Sequence, residues 1–538
     1  MLAGIVASAL LLALYGRIER PWHILGWIAL VPWLAVLDGT RSLRGAVLAG
    51  AAMAMAFVLV VFGWFASAIR AYTGASAATA MLVLVVLAPL LELEFLTFAV
   101  ARHVVRRSGA AHALVVLAGA SVWVATEWVT GKLFGDTLGH GLYPSPWLRQ
   151  AADIAGVGGL TMALIAGNEC VRAALVSRRV APAATLAVLV ATLVGYGVVR
   201  ERAIRAADAE PPLTAGIVQA NIAQYDRLRA YLGTYEAVRR ILVVHFGMSW
   251  LLLARGRLDV LLWPETVYPT TFGSPKSEAG AAFDRDIAGF VAGAGVPLVF
   301  GAYDLDGGDE FNAAIFLPSA PADPPAFTVY RKASLFPLTE RVPAWLESGI
   351  VRRWLPWLGT WKPGTGGDVV PVTLPDGRTV RVAPLICYDA LAPRYPLAAV
   401  RRGAELIVTL SNDSWFDAGP GPHLHLVGAA FRSIETRRPQ IRATNTGISA
   451  VIDATGEITQ TIDIHRRDTL LATVRPVRTT RTLLLDWGDW LGPTALALGM
   501  LVVGGALVRT RRGASNERND RRAIAGAASF PRGSRAPR

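Results

Sequence analysis

At 538 residues, with 53% hydrophobic residues and a positive mean hydropathy, the chain is too apolar for an ordinary water-soluble protein and long enough for a membrane part plus one sizeable domain. Its two cysteines, Cys170 and Cys387, argue against a disulfide framework or a thiolate metal site. The formal charge of +13 does not point to nucleic acid: nine arginines between Arg509 and Arg538 face only Glu517 and Asp520, and the others gather at the ends of apolar segments, as membrane topology demands.

Up to about residue 199 the chain is a succession of apolar runs near the ~20 residues that cross a bilayer as helix. They cover 2–15, 23–38, 45–69, 77–101, 111–129, 151–171 and 180–199, with an eighth at 490–508. Basic residues mark alternate loops: Arg41 and Arg44; Arg102, Arg106 and Arg107; Arg172, Arg178 and Arg179; and Arg509, Arg511 and Arg512. The positive-inside rule puts these in the cytoplasm, although Arg17 and Arg20 in the first outer loop count mildly against it. The expected organisation is a seven-helix membrane domain over 1–200, an extracytoplasmic domain over 211–485, an eighth crossing at 489–508 and a disordered basic cytoplasmic tail at 509–538. Glu92, Glu94 and Glu127 fall inside apolar runs, where an ionisable group is costly and often functional. The Gly- and Pro-rich loop 132–147 either lines a lipid path or is a plain linker.

After Pro211-Pro212 the texture changes to short β-rich runs separated by Gly, Pro, Asp and Asn. Strands are expected at 213–221, 258–263, 297–303, 313–317, 327–331, 380–386, 406–411, 448–453 and 470–474. Helices are expected at 228–255, 281–292 and 422–436. The alternation predicts a layered α/β domain. Three of these strands end in a chemically useful residue: Glu265 after Trp263-Pro264, Lys332 after Arg331, and Cys387 after Ile386. Taken singly, they read as a solvated turn acid, a surface lysine and an inert buried thiol. If adjacent strands bring them together, a carboxylate can take the thiol proton and an ammonium can stabilise an oxyanion.

Together these stretches resemble the nitrilase (carbon–nitrogen hydrolase) superfamily: Trp263-Pro264-Glu265-Thr266, Tyr330-Arg331-Lys332 leading to Glu340, and Leu385-Ile386-Cys387-Tyr388-Asp389. The membrane runs on both sides resemble its apolipoprotein N-acyltransferase branch. Val218-Gln219-Ala220-Asn221-Ile222, Ser411-Asn412-Asp413-Ser414-Trp415-Phe416 and Arg442-Ala443-Thr444-Asn445-Thr446-Gly447 extend the resemblance over nearly the whole chain. It implies an αββα sandwich with Glu265 as general base, Lys332 stabilising the tetrahedral intermediate and Cys387 as nucleophile. Glu340, Tyr388 and Asp389 would support them.

The implied reaction moves an acyl chain from a phospholipid donor, through a Cys387 thioester, to the N-terminal amine of a diacylated apolipoprotein. It needs no cofactor or metal. The protein would act as a monomer among membrane lipids of the bacterial inner membrane, with its catalytic domain on the extracytoplasmic side. A membrane-tethered amidase, a Cys-His enzyme using His423 or His425, and a catalytically inactive lipoprotein-binding homologue are the alternative readings. Trp345, Trp357, Trp361 and Trp415 are candidate lipid contacts, the first three in an aromatic stretch, 343–363, between the Lys and Cys motifs. Three departures from the family pattern stand out: Asp389 where Glu is common, Ala223 to Arg227 in place of a tryptophan-bearing segment, and an altered segment around 138–147.

Overall fold

The structure, a computed structural model, describes residues 1–207, 210–222, 225–320, 326–342, 348–355, 358–414, 416 and 419–527. Thirteen strands are present among them: β1 (Leu213–Gln219), β2 (Val260–Leu262), β3 (Tyr268–Thr271), β4 (Leu298–Asp306), β5 (Asp309–Leu317), β6 (Thr328–Arg331), β7 (Val370–Thr373), β8 (Thr379–Ile386), β9 (Leu406–Ser411), β10 (Gln440–Thr444), β11 (Ser449–Ile452), β12 (Ile458–Ile462) and β13 (Asp468–Val474). They form two sheets, one ordered β13-β1-β2-β4-β5-β6 with β3 added to β4, the other β12-β11-β10-β9-β8-β7. The nine expected strands all occur. β3, β7, β10 and β12 were not anticipated.

Alternating side chains from both sheets make the central core. Ile217, Leu262 and Phe316 meet Val382, Val408 and Ile441 there. The outer face of the first sheet is covered by helices Thr234–Leu253 and Glu278–Ala294, through Ile241, Leu242, Ile287 and Val291. The outer face of the second is covered by helices Arg394–Arg401 and Gly421–Thr436. These four layers are the expected αββα sandwich.

Among the described residues, the membrane half holds five helices long and apolar enough to cross a bilayer: Leu43–Val61, His112–Thr130, Leu148–Ser177, Val180–Ala206 and Leu491–Arg512. A sixth span is the pair Ala77–Leu91 and Leu93–Arg107, bent by 44°. Its break lies at Glu92, three residues after Pro89, whose missing N–H weakens the helix. Leu2–Tyr15 and Trp22–Asp38 are shorter. With them, the helices follow the eight apolar runs, except that the third, 45–69, breaks after Val61 and resumes as a separate helix, Phe65–Thr73. The last helix continues to Ala527, well into the tail expected to be disordered.

At one end of this bundle Arg102, Arg106 and Arg172 converge on Asp38, and Arg102 also pairs with Glu169 at 2.6 Å. The other end grips the sandwich. Helix Gly421–Thr436 supplies Leu426, Val427, Phe431 and Ile434 to the same core as Trp33, Leu142 and Leu160. The fully buried Arg437 donates to Gln150 Oε1 (2.6 Å) and Asp153 Oδ2 (2.8 Å). A guanidinium without solvent requires such partners, so these bonds fix the register between the two halves.

Candidate active site

Cys387 stands where β8 turns into the short helix Cys387–Leu391. Its φ of +47° is unusual for a residue with a side chain and makes the turn sharp. Cys387 is 5% exposed. Burial pushes its pKa up, the Glu265 carboxylate adds to that, and the Lys332 ammonium only partly opposes them, so the resting group is a thiol.

β2 and β6 run in the same direction, because β2 is parallel to β4, and β6 is antiparallel to β5, itself antiparallel to β4. Their C-terminal ends therefore deliver Glu265 and Lys332 to one edge of the sheet. Lys332 Nζ lies 3.0 Å from Glu265 Oε1 and 2.7 Å from Glu340 Oε1. Burial alone would lower the lysine pKa, but the two carboxylates outweigh it and hold the ammonium well above its usual range. Asn312 Nδ2 also donates to Glu265 Oε1 (2.8 Å), and the Asn412 N–H donates to Oε2 (2.8 Å). Glu340 is oriented in turn by the Phe336 N–H (2.7 Å). The backbone around Glu265 leaves no room for change. A Cβ on Gly301 would lie 2.5 Å from Glu265 Cα, and Thr266 adopts a φ of +59°.

Asp389 is fully buried and ties the strand ends together. Its Oδ1 accepts from the N–H groups of Ala333 (3.1 Å) and Ser334 (2.6 Å), and its Oδ2 from the Tyr330 hydroxyl (2.8 Å) and the Ile386 N–H (3.0 Å). The shorter acid thus reaches both the lysine turn and the cysteine turn. Burial raises its pKa to about 6 despite these donors. Tyr388 points the other way, towards the membrane half. Its hydroxyl donates to the carbonyl of Leu133 (2.9 Å), and its ring meets Phe336 edge-on.

A second network lies behind the cysteine; of its members sequence reasoning weighs only His425, as the base of an alternative Cys-His enzyme, and gives Asp413 and Arg442 no role. His425 Nε2 is 3.1 Å from the Cys387 carbonyl oxygen, so this nitrogen must carry a proton to bond it. Nδ1 faces Asp413 Oδ1 (3.1 Å), and Asp413 Oδ2 accepts from Arg442 (3.0 Å). Arg442 and His425 outweigh burial and hold the Asp413 carboxyl well below its usual range. Cys387, Asp413 and His425 bring potential ligand atoms within 4.8 Å of one another. The sequence offered His423 and His425 as partners of the thiol in an alternative Cys-His enzyme. Here Arg442 already supplies the positive charge, and His425 addresses the cysteine backbone, which marks the group as a support for the turn.

Glu265, Lys332, Glu340 and Cys387 line one cavity of about 180 Å³, together with Asn312, Tyr303 and Trp361. Trp361 packs on Tyr303 at 4.5 Å between ring centroids. Trp345, Trp357 and Trp415 lie outside the described residues, as do Ala223 and Gln224. On its other side Cys387 borders an apolar cleft walled by Trp64, Phe134, Phe336, Leu391, Phe416 and Leu424. Trp64 and Phe134 belong to the membrane half, so the thiol sits between a polar pocket and a narrow apolar crevice of about 20 Å³ formed with that half.

The carbon-nitrogen hydrolase family profile matches residues 214–482, and that of the apolipoprotein N-acyltransferase N-terminal domain matches residues 8–170. Similar curated proteins carry the name apolipoprotein N-acyltransferase. That of Gloeobacter violaceus is 28% identical over 529 residues, 92% of each chain. That of Bdellovibrio bacteriovorus is 29% identical over 387 residues, 68% of each chain, and that of Agrobacterium fabrum 31% identical over 382 residues, 67% of this chain and 66% of the relative. With both halves matched in order, the chain belongs to the apolipoprotein N-acyltransferase family of carbon–nitrogen hydrolases.

Proposed function

We propose that this protein transfers an acyl chain from a membrane phospholipid to the N-terminal amine of diacylglyceryl-cysteine on apolipoproteins, with Cys387 carrying the chain as a thioester. Glu265 takes the thiol proton as sulfur attacks the ester carbonyl of the lipid. The oxyanion of the tetrahedral intermediate lies against Lys332 Nζ and the N–H groups that open the turn after Cys387. Its collapse breaks the ester C–O bond, and the proton passes to the departing lysophospholipid. The acceptor amine then attacks the thioester, an amide forms, and the thiol is restored. A thioester keeps the acyl group reactive between the two half-reactions, and one site stabilises both oxyanions.

The observation that carries this reading is the meeting of three strand-end groups, from β2, β6 and β8, in a cavity whose thiol also borders an apolar cleft formed with the membrane half. A hydrolase acting on water-soluble amides needs no such cleft. Localisation in a bacterial inner membrane, with the sandwich outside the cytoplasm, is supported by the arginine cluster at Asp38. It lies at the opposite end of the bundle from the sandwich, where the positive-inside rule would put the cytoplasm.

The test is mass spectrometry of a diacylated lipopeptide incubated with phospholipid vesicles, with and without the protein. A third acyl chain on the α-amine is expected. Free fatty acid with an unchanged lipopeptide would favour the amidase-like reading instead.

A further inference from the structure

The carboxylates that the apolar runs left unexplained gather in one place. The break at Glu92 brings Glu92 and Glu94 to the loop after helix His112–Thr130, where Lys132 Nζ contacts Glu92, Glu94 Oε1 (2.7 Å) and Asp136 Oδ2 (3.4 Å). Glu127 lies alongside and accepts from Trp123 Nε1 (2.8 Å) and Thr137 Oγ1 (2.9 Å). Four carboxyl groups thus surround one ammonium. Glu92 and Glu94 are 4% and 2% exposed. Glu94 Oε2 and Asp136 Oδ1 find no hydrogen-bond partner among the described residues. Buried acceptors left open in this way are expensive, and a second cation that donates hydrogen bonds would satisfy them.

These residues line a cavity of about 430 Å³ in the membrane half, whose other walls are apolar side chains such as Leu12, Phe57, Phe62 and Trp123, with Arg17, Glu19, His140 and His423 among them. That volume suits a lipid head and the start of its chains. The cavity shares Trp64 and Leu424 with the cleft that borders Cys387. Tyr388, next to the nucleophile, bonds the carbonyls of Lys132 and Leu133 at the edge of the cluster. A ligand held there is therefore a neighbour of the reacting sulfur. An ammonium offers three donors on one compact charge, which matches open carboxylate oxygens better than a hydroxyl or a quaternary amine does.

We propose that Glu92, Glu94 and Asp136, with Lys132 between them, form a subsite for the primary ammonium group of a lipid substrate. Two substrates of the proposed reaction can present that group: an aminoethyl phospholipid donor and the free α-amine of the diacylated acceptor. Only this identification of sources rests on the acyl-transfer reading.

The subsite itself is tested without catalysis, on the full chain carrying Cys387→Ala in lipid nanodiscs. The probes are a diazirine-bearing dodecylammonium and the matching dodecanol. The ammonium probe should label peptides containing Phe57, Phe62 or Trp123 saturably and at least tenfold more than the alcohol, and Glu94→Gln with Asp136→Asn should abolish that preference. Equal labelling by the two probes in the unsubstituted cluster overturns the proposal and needs no folded variant.

Kinetic arms in the Cys387 enzyme then distinguish the sources. Loss of a preference for aminoethyl over glycerol phospholipids in thioester formation assigns the donor. A tenfold rise in acceptor KM with unchanged thioester formation assigns the acceptor. Probe labelling with neither kinetic arm affected would overturn the substrate assignment. Failure to form any thioester would instead sink the acyl-transfer reading and leave the labelling result standing.

Discussion

Replacing Asp389 by asparagine separates positioning from folding. The carboxylate accepts four hydrogen bonds, from Ala333, Ser334, Tyr330 and Ile386, whereas an amide keeps one accepting oxygen. With that oxygen on the Ala333–Ser334 turn, the amide NH₂ faces Tyr330, whose hydroxyl can rotate to accept, and the Ile386 N–H, which cannot. One buried N–H left open costs about 1–3 kcal/mol, and the other bonds lose their charge assistance.

Against this, the folded chain holds the Asp389 carboxyl at about 6 instead of 3.8. At about 1.4 kcal/mol per pH unit, ionising it at neutral pH costs the fold about 3 kcal/mol, which asparagine removes. The two effects are similar in size and opposite in sign, so the melting temperature should move by only a few degrees. Activity should not be spared. The released strand end, at Ile386, carries Cys387, and a displacement of about 1 Å at a reacting site costs about 100-fold. Thermal unfolding of the solubilised protein, paired with single-turnover thioester formation, reads both quantities. A thioester rate within threefold of the parent, or a loss that merely tracks unfolding, would refute the reasoning.

The same group sets a pH dependence. Its folded pKa is raised, so between pH 3.8 and about 6 the folded chain binds the proton more readily than the unfolded one, and acidification through that window adds stability from this group. Protonation also removes an acceptor position from the clamp, so thioester formation should fall as pH drops through about 6, and Asp389→Asn should flatten that limb. Glu265→Gln should slow thioester formation by about 10²–10⁴-fold in a folded protein, the usual range for a lost general base, measured by quench-flow with a labelled donor. An unchanged rate would remove Glu265 from the first step. Gly301→Ala leaves every chemical group in place but sets a methyl 2.5 Å from Glu265 Cα; overpacking of about 1–3 kcal/mol and a large activity loss are expected from unfolding curves and turnover. Tyr388→Phe loses its bonds to the carbonyls of Lys132 and Leu133 and should cost about 1 kcal/mol of stability with impaired transfer, seen in the same two assays.

What the sequence revealed depended on contrast. Glu265, Lys332 and Cys387 stood out because each ends an apolar strand, and a polar residue at such a boundary is conspicuous. β10 was missed because Gln440, Arg442 and Thr444, although wholly buried, look like surface residues when their partners are unseen. For Arg442 that partner is Asp413, 29 residues earlier in the chain. β12 was missed because it is an edge strand with Thr459, Gln460 and Thr461 exposed. Asn312 gave no signal either, since its importance lies in donating to Glu265 across 47 residues. The apolar runs predicted where the membrane helices lie, but not that Glu92 sits at a break. That follows from packing around Lys132, which hydropathy does not register.

The central claim is that Cys387 carries an acyl group taken from a lipid. The full-length protein in vesicles of a phospholipid with a labelled acyl chain tests it most directly, with the labelled site located by peptide mass spectrometry. The account predicts a label on Cys387 that hydroxylamine releases, that is absent in Cys387→Ser, and that moves to the α-amine when a diacylated lipopeptide is added. A folded protein that acquires no label, or whose label goes only to water, would contradict it.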